Sequence, residues 1–226
     1  MGLKRLLSRY GRYTCFSPDR TRLSELAAGV VLAIFSVIPT MGMAADEDAA
    51  AAVVENFQGV LISVMKDADE LGYQGRYDRL GPAIEGSHDL TAISQIALGG
   101  AWDKLTSAQK QLFVEKFSQL SIATYAFRFD SYNGQHFETL STQKLENGDA
   151  LVRSRLIAPS GEVNNFDYVL RDTGNGWRII NIIVNGISDL ALKRAEYSSV
   201  IRRQGFEQLI SQLEEKIALY SKEGTK

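Results

Sequence analysis

Two periods alternate along this chain. Between positions 46 and 128 apolar residues recur at steps of three and four, from 136 to about 184 the step falls to two, and beyond 187 the helical spacing returns. In "DEDAAAAVVENFQGVLISVMKDADELG" one stripe carries Val53, Phe57, Val60, Leu61, Val64, Ala68 and Leu71, which predicts an amphipathic helix interrupted at Gly72 and Gly75. A shorter helix is expected over 76–84, with a bend near Pro82. "SHDLTAISQIALGGAW" predicts another, capped by Asp89 or Ser87 and stopped at Gly99-Gly100. Thr106 and Gln109 then form a capping box. Phe113, Phe117, Leu120, Thr124 and Phe127 share one face of the helix of about five turns that follows.

Past Asn133-Gly134, the segments "HFETLSTQKL", "DALVRSRLIA", "NNFDYVLR" and "GWRIINIIV" alternate, separated by the turn signals "ENGD", "PSGEV" and "DTGNG". Four strands joined by short turns predict an antiparallel meander. In the third, Phe166, Tyr168 and Leu170 oppose Asn165, Asp167 and Arg171, so one sheet face is apolar and the helices must cover it. Two helices close the chain on either side of Gly205; the last carries Phe206, Leu209, Ile210, Leu213 and Ile217 on its apolar stripe. No repeat or linker divides this pattern. The expected fold is a single α+β domain: a four-stranded antiparallel meander covered on one face by several helices, with an apolar pocket between the two layers.

The first forty-odd residues read differently. Six basic residues precede the apolar run "LAAGVVLAIFSVI", which is followed by "PTMGMAADEDAA". That layout predicts a secretory signal peptide over 1–44, cut after Ala44 or else Ala45, and a mature domain over 45–226. The run of about 13 residues is short for a membrane span, which needs roughly 20. Removal of the leader takes six of the 25 basic residues and two of the 27 acidic ones, moving the net charge from −2 to about −6. Such an acidic chain is a poor match for nucleic acid. The sole cysteine, Cys15, leaves with the leader, so the mature chain has no disulfide, thiolate metal site or cysteine nucleophile.

No nucleophile–base motif, phosphate loop or metal-ligand spacing stands out, so neither catalysis, metal nor cofactor is expected. His88 and His136 are expected to be surface or capping residues. Arg153 and Arg155 share a face of the second strand, where they could meet a headgroup or pair with Asp167 or Glu138. Lys193, Arg194, Arg202 and Arg203 form a basic cluster that suits a solvated face or an acidic partner. The densest aromatic stretch is "YAFRFDSYNGQHF" at 125–137. There Phe127 continues the inward stripe, Phe129 and Phe137 flank the turn, and Tyr125 and Tyr132 can keep a hydroxyl near water.

A resemblance enters at "DLTAISQIALGGAWDKLTSAQKQLFVEKFSQLSIATYA" and "VRSRLIAPSGEVNNFDYVLRDTGNGWRIINIIVNGIS". The order of Asp89, Leu90, Ala97, Leu98, Gly99 and Trp102, then Phe113, Phe117 and Tyr125, resembles the MlaC-type (toluene-tolerance) periplasmic lipid-binding proteins. It continues through Arg153, Arg155, Tyr168, Leu170, Gly176-Trp177-Arg178 and Gly186-Ile187-Ser188. Within that family "FDSYNGQHF" and the C-terminal helices are most similar to HpnM, the hopanoid-biosynthesis-associated branch. Asn181 and Asn185 depart from acids common in relatives.

The resemblance implies a carrier in the periplasm of a Gram-negative bacterium. Its cargo would be a phospholipid or hopanoid-type lipid. Its partners would be an inner-membrane ABC transporter complex and an outer-membrane lipoprotein or porin complex. Candidate lipid-lining residues are Phe113, Phe117, Leu120, Tyr125, Phe127 and Phe129 from the helix and its exit, and Val152, Leu156, Tyr168, Leu170, Ile180 and Ile182 from the sheet. Arg153, Arg155, Lys193 and Arg194 are candidates for headgroup or partner contact. Two competing readings differ in class: a lipid-free envelope adaptor with a filled core, and an enzyme on a cone-like scaffold with a buried titratable pair.

Overall fold

Alternation of period two from His136 onward builds an antiparallel sheet. In the computed structural model, which describes residues 41–225, the strands are β1 (His136–Lys144), β2 (Ala150–Ile157), β3 (Val163–Asp172), β4 (Trp177–Val184) and β5 (Ile187–Ser188), paired in chain order. The sheet therefore has five strands where four were expected. The fifth is a two-residue hairpin arm, with Val184 facing Ile187 across Asn185-Gly186. Both turn residues have positive φ, 50° and 82°, a backbone that Asn and Gly tolerate and that matches strand twist. The Asn185 side chain also accepts from the Asn165 amide and donates to Asn164, tying the turn to β3.

Two irregularities shape the sheet. Leu140 falls between the Thr139–Ser154 and Ser141–Arg153 pairs and points to solvent. Between β3 and β4 the register shifts after Val169, leaving Ile180 of β4 without a partner, so Ile179 and Ile180 are both buried. The free edge of β4 is covered by the chain at His88 and Asp89: the Asp89 amide donates to the Ile179 carbonyl at 3.0 Å.

The helices are α1 (Met41–Lys66), α2 (Ala68–Ser87), α3 (Leu90–Leu98), α4 (Ser107–Arg128), α5 (Asp189–Gln204) and α6 (Phe206–Gly224), with a 3₁₀ segment Gly99–Lys104 after α3. The expected first stripe is split at Asp67, and Gly72 (φ 57°) breaks α2 internally, while Pro82 is carried inside it. Asp89 caps α3 by accepting from Ala92, and Thr106 and Gln109 form the reciprocal capping box of α4. Residues 1–40 of the expected leader, Cys15 among them, lie outside the described residues. Beyond the expected cut, Asp46 accepts from Trp177 Nε1 at 3.0 Å and pairs with Lys144 at 2.6 Å, which fastens α1 across the sheet.

Two apolar cores result. The first packs α1, α2 and the end of α4 on the inner sheet face around Phe57, Leu61, Leu80, Tyr168 and Leu170. Among the buried polar groups there, Gln58 donates to Ser154 Oγ at 2.8 Å and Tyr168 Oη at 3.3 Å, while Ser154 donates to the Phe166 carbonyl. The second core joins α3, α4, α5 and α6 around Phe113, Phe117, Tyr197, Leu209 and Leu213. Helix α4 belongs to both, since Ile122 and Ala126 face the sheet side and Phe113, Phe117 and Leu120 face the other helices.

Candidate functional site

The two cores do not meet everywhere. At their seam lies a partly enclosed cavity of about 620 Å³, within the range of roughly 300–1,000 Å³ typical of small-molecule sites. Helix α4 supplies Leu120, Ser121, Thr124, Tyr125 and Arg128, followed by Phe129 at its C-cap. The sheet supplies Phe166, Ile182, Val184 and Ile187. The far wall is α5 and α6, with Leu192, Tyr197 and Tyr220 among ionic residues. An annex of about 60 Å³ shares Ser121, Tyr125, Ile182, Asp189 and Lys193 with the main chamber and adds His88, Phe117, Ile180 and Asn181.

An aromatic ladder holds the α4 side of the cavity. Tyr125 stacks on Phe129 with centroids 5.5 Å apart, meets Phe57 edge-on at 5.4 Å, and Phe57 meets His88 at 5.0 Å. On the sheet side Phe137 is T-shaped against Phe166, which stacks on Tyr168. Burial drives the Tyr125 and Tyr197 phenols well above their ordinary range, so both are neutral, uncharged lining.

His88 corrects an expectation. It is a buried residue rather than a surface or capping one, because the chain drops onto the β4 edge at this point. Its Nδ1 faces the Ser87 hydroxyl at 2.8 Å and the Ile84 carbonyl at 3.2 Å. The Ser87 hydroxyl already donates to Ala83, so Nδ1 carries the proton and Nε2 is an unprotonated acceptor without a partner among the described residues. Burial lowers the ring's pKa to about 4. Cap duty falls to Asp89 instead.

Of the residues singled out from the sequence, Leu120, Tyr125, Phe129 and Ile182 line the main chamber, and Phe117 and Ile180 line the annex. Phe113 is fully buried in the helical core, and Phe127 stacks on Tyr220 behind the wall. Val152, Leu156, Tyr168 and Leu170 lie in the filled core of the sheet face, away from both chambers. Arg155 bonds Glu138 at 2.8 Å and Arg153 bonds Gln143, on the open sheet face remote from the cavity. Lys193 lines both chambers, with Nζ 3.3 Å from Asp189 and 6.0 Å from the Phe117 ring centroid. Arg194 instead lies against Gly99.

The sequence reading missed Arg128, Leu192, Tyr197, Lys216 and Tyr220. These belong to helices whose polar faces read as solvated, and only the placement of α5 and α6 beside α4 turns them toward one space. Among the described residues, no group of three or more His, Cys, Asp or Glu side chains gathers as a metal site would.

The model of the family described as MlaC protein matches residues 55–215, a span that runs from α1 through the whole sheet and into α6. Over 127 residues the chain is 28% identical to the toluene tolerance protein ttg2D of Pseudomonas putida, a match that covers 56% of this chain and 57% of that protein. The chain thus spans little more than half the length of that relative. The fold is similar to that of a phospholipid-binding protein from Ralstonia solanacearum solved in complex with a phospholipid, with a TM-score of 0.68 and 25% identity. That match covers 76% of this chain and 98% of the other. With the family pattern threading both walls of the cavity, the chain belongs to the MlaC protein family.

Proposed function

We propose that this protein is a lipid carrier whose cavity at the seam of α4, β4–β5, α5 and α6 shelters the acyl chains of a phospholipid. The observation that carries this reading is the cavity itself: about 620 Å³ of space, walled by stacked aromatics and aliphatics, with its charged residues drawn from α5, α6 and the end of α4. A fold neighbour that holds a phospholipid supports the same cargo class. Shielding a 16-carbon chain from water is worth on the order of 12 kcal/mol at about 0.8 per methylene. The bilayer already provides most of that, so a carrier needs a slot of similar polarity rather than a reactive group. On this reading the protein binds its lipid without transforming it.

The finer reading places the carrier in the periplasm of a Gram-negative bacterium, after removal of residues 1–44. There it shuttles lipid between an inner-membrane ABC transporter complex and an outer-membrane complex. The likeness of the C-terminal helices to the HpnM branch extends the cargo to a hopanoid-related lipid. Mass spectrometry of organic extracts from protein purified after export is the test. Stoichiometric phospholipid or hopanoid is the expected result and names the cargo. Folded, exported protein with an empty extract overturns the carrier reading in favour of a lipid-free adaptor.

A further inference from the structure

The cavity is lined by three cations and two anions, and their pairing is unequal. Lys216 bonds Glu196, and Lys193 pairs with Asp189 at 3.3 Å along α5. Arg128, in the last turn of α4, makes no ion pair and no side-chain hydrogen bond with any described residue. The cavity therefore carries one uncompensated positive charge, in a chain whose formal net charge is negative.

The residue that carries it stands three positions after Tyr125 and immediately before Phe129, whose stacked rings line the same cavity. It acts on the Tyr125 phenol, opposing part of the effect of burial there. A planar fork of donors at an apolar rim suits a phosphate better than a lysine does. It can bond two oxygens at once, and the nearby low-dielectric wall strengthens the attraction. A neutral headgroup would give that charge no partner of opposite sign.

We infer that Arg128 is a phosphate ligand, so that the cavity selects lipids bearing a single phosphodiester over uncharged lipids with the same acyl chains. This rests on the carrier reading and names the residue through which the cavity would tell its phospholipid from an uncharged lipid. Lys193 and Lys216, already matched by carboxylates, add reach but little selectivity.

The test compares phosphatidylglycerol with diacylglycerol of identical chains, each presented in vesicles to delipidated wild-type and Arg128→Gln protein, with Arg155→Gln as control on the far sheet face. Wild type and the control should prefer the phospholipid about tenfold, and Arg128→Gln should lose that preference by weaker phospholipid binding while holding diacylglycerol as wild type does. Arg128→Lys should recover only part of it. Millimolar inorganic phosphate should not displace the lipid; displacement would reassign Arg128 to a free-anion site and overturn the headgroup role. Persistence of the preference in Arg128→Gln, or no preference in wild type, overturns the assignment and leaves the carrier reading standing. If wild type takes up neither lipid, the carrier reading fails, and the headgroup role falls with it.

Discussion

Phe127 stacks on Tyr220 with ring centroids 4.9 Å apart and planes 13° from parallel, one ring behind the cavity wall and the other on it. The pair joins the end of α4 to the end of α6, where Tyr220 packs against both cores. Phe127→Ala is expected to lower stability by about 1–2 kcal/mol in urea unfolding, since half-buried rings lose packing as well as the stack. Bound lipid per folded molecule should hold. Tyr220→Ala removes the stack and part of the wall together, so the same assay should show lost lipid as well as lost stability.

Ser121 lines both chambers, and its hydroxyl only donates back to the Phe117 carbonyl within α4. Its side chain can therefore be enlarged into open space rather than into packed neighbours. Ser121→Trp is expected to keep or raise the melting temperature, as cavity filling commonly does, while co-purified lipid falls severalfold. A lower melting temperature with unchanged lipid would mean that the indole cannot enter the cavity.

Arg76 is buried, and among the described residues it has no carboxylate within ion-pair distance. Its guanidinium donates to the carbonyls of Ala126 at 2.8 Å, Ala68 at 2.9 Å and Gly224 at 3.3 Å, near the C-terminal ends of α4 and α6 and at the start of α2. Arg76→Met strips three charge-assisted bonds and should cost about 3 kcal/mol. Amide exchange at 220–225 should rise first, because that end depends on this anchor. At Gly224 a Cβ would stand 2.5 Å from the Tyr73 ring, so Gly224→Ala should loosen the same end.

His88 makes folding pH-dependent. The unfolded chain takes up a proton near 6.5, whereas burial holds the folded ring neutral down to about 4. Between those values the unfolded state binds more protons, so stability is full above 6.5, declines as pH falls and levels off below 4. The contribution of this ring across the window is about 3 kcal/mol. Chemical denaturation of wild type and His88→Gln at pH 7, 5.5 and 4 checks it: the difference between the two should shift in favour of the variant as pH falls.

Much of the architecture is written in local spacing. Alternation from His136 onward and the capping box at Thr106 depend on near neighbours, and so do Gly99 as a helix stop and Gly205 as a break. Each is recovered in the structure. The fifth strand had a signal too, since Asn185-Gly186 is a two-residue hairpin turn, but an arm of two residues is too short to alternate visibly. His88 was misread because nothing local announces that its backbone will bridge to Ile179, 91 positions away along the chain.

The sequence by itself determined that each helix and strand has an apolar stripe, that one sheet face is apolar, and that the chain resembles a lipid-binding family. Only the tertiary structure decided which inward faces press together and which stand apart. Val152, Tyr168 and Leu170 read like lining as much as Ile182 does, yet α1 and α2 fill the space above them, while the α5–α6 pair stands off β4–β5. Periodicity encodes the direction of a side chain relative to its own helix or strand. Whether that direction ends on another side chain or in open space depends on how elements far apart in the chain are set against one another.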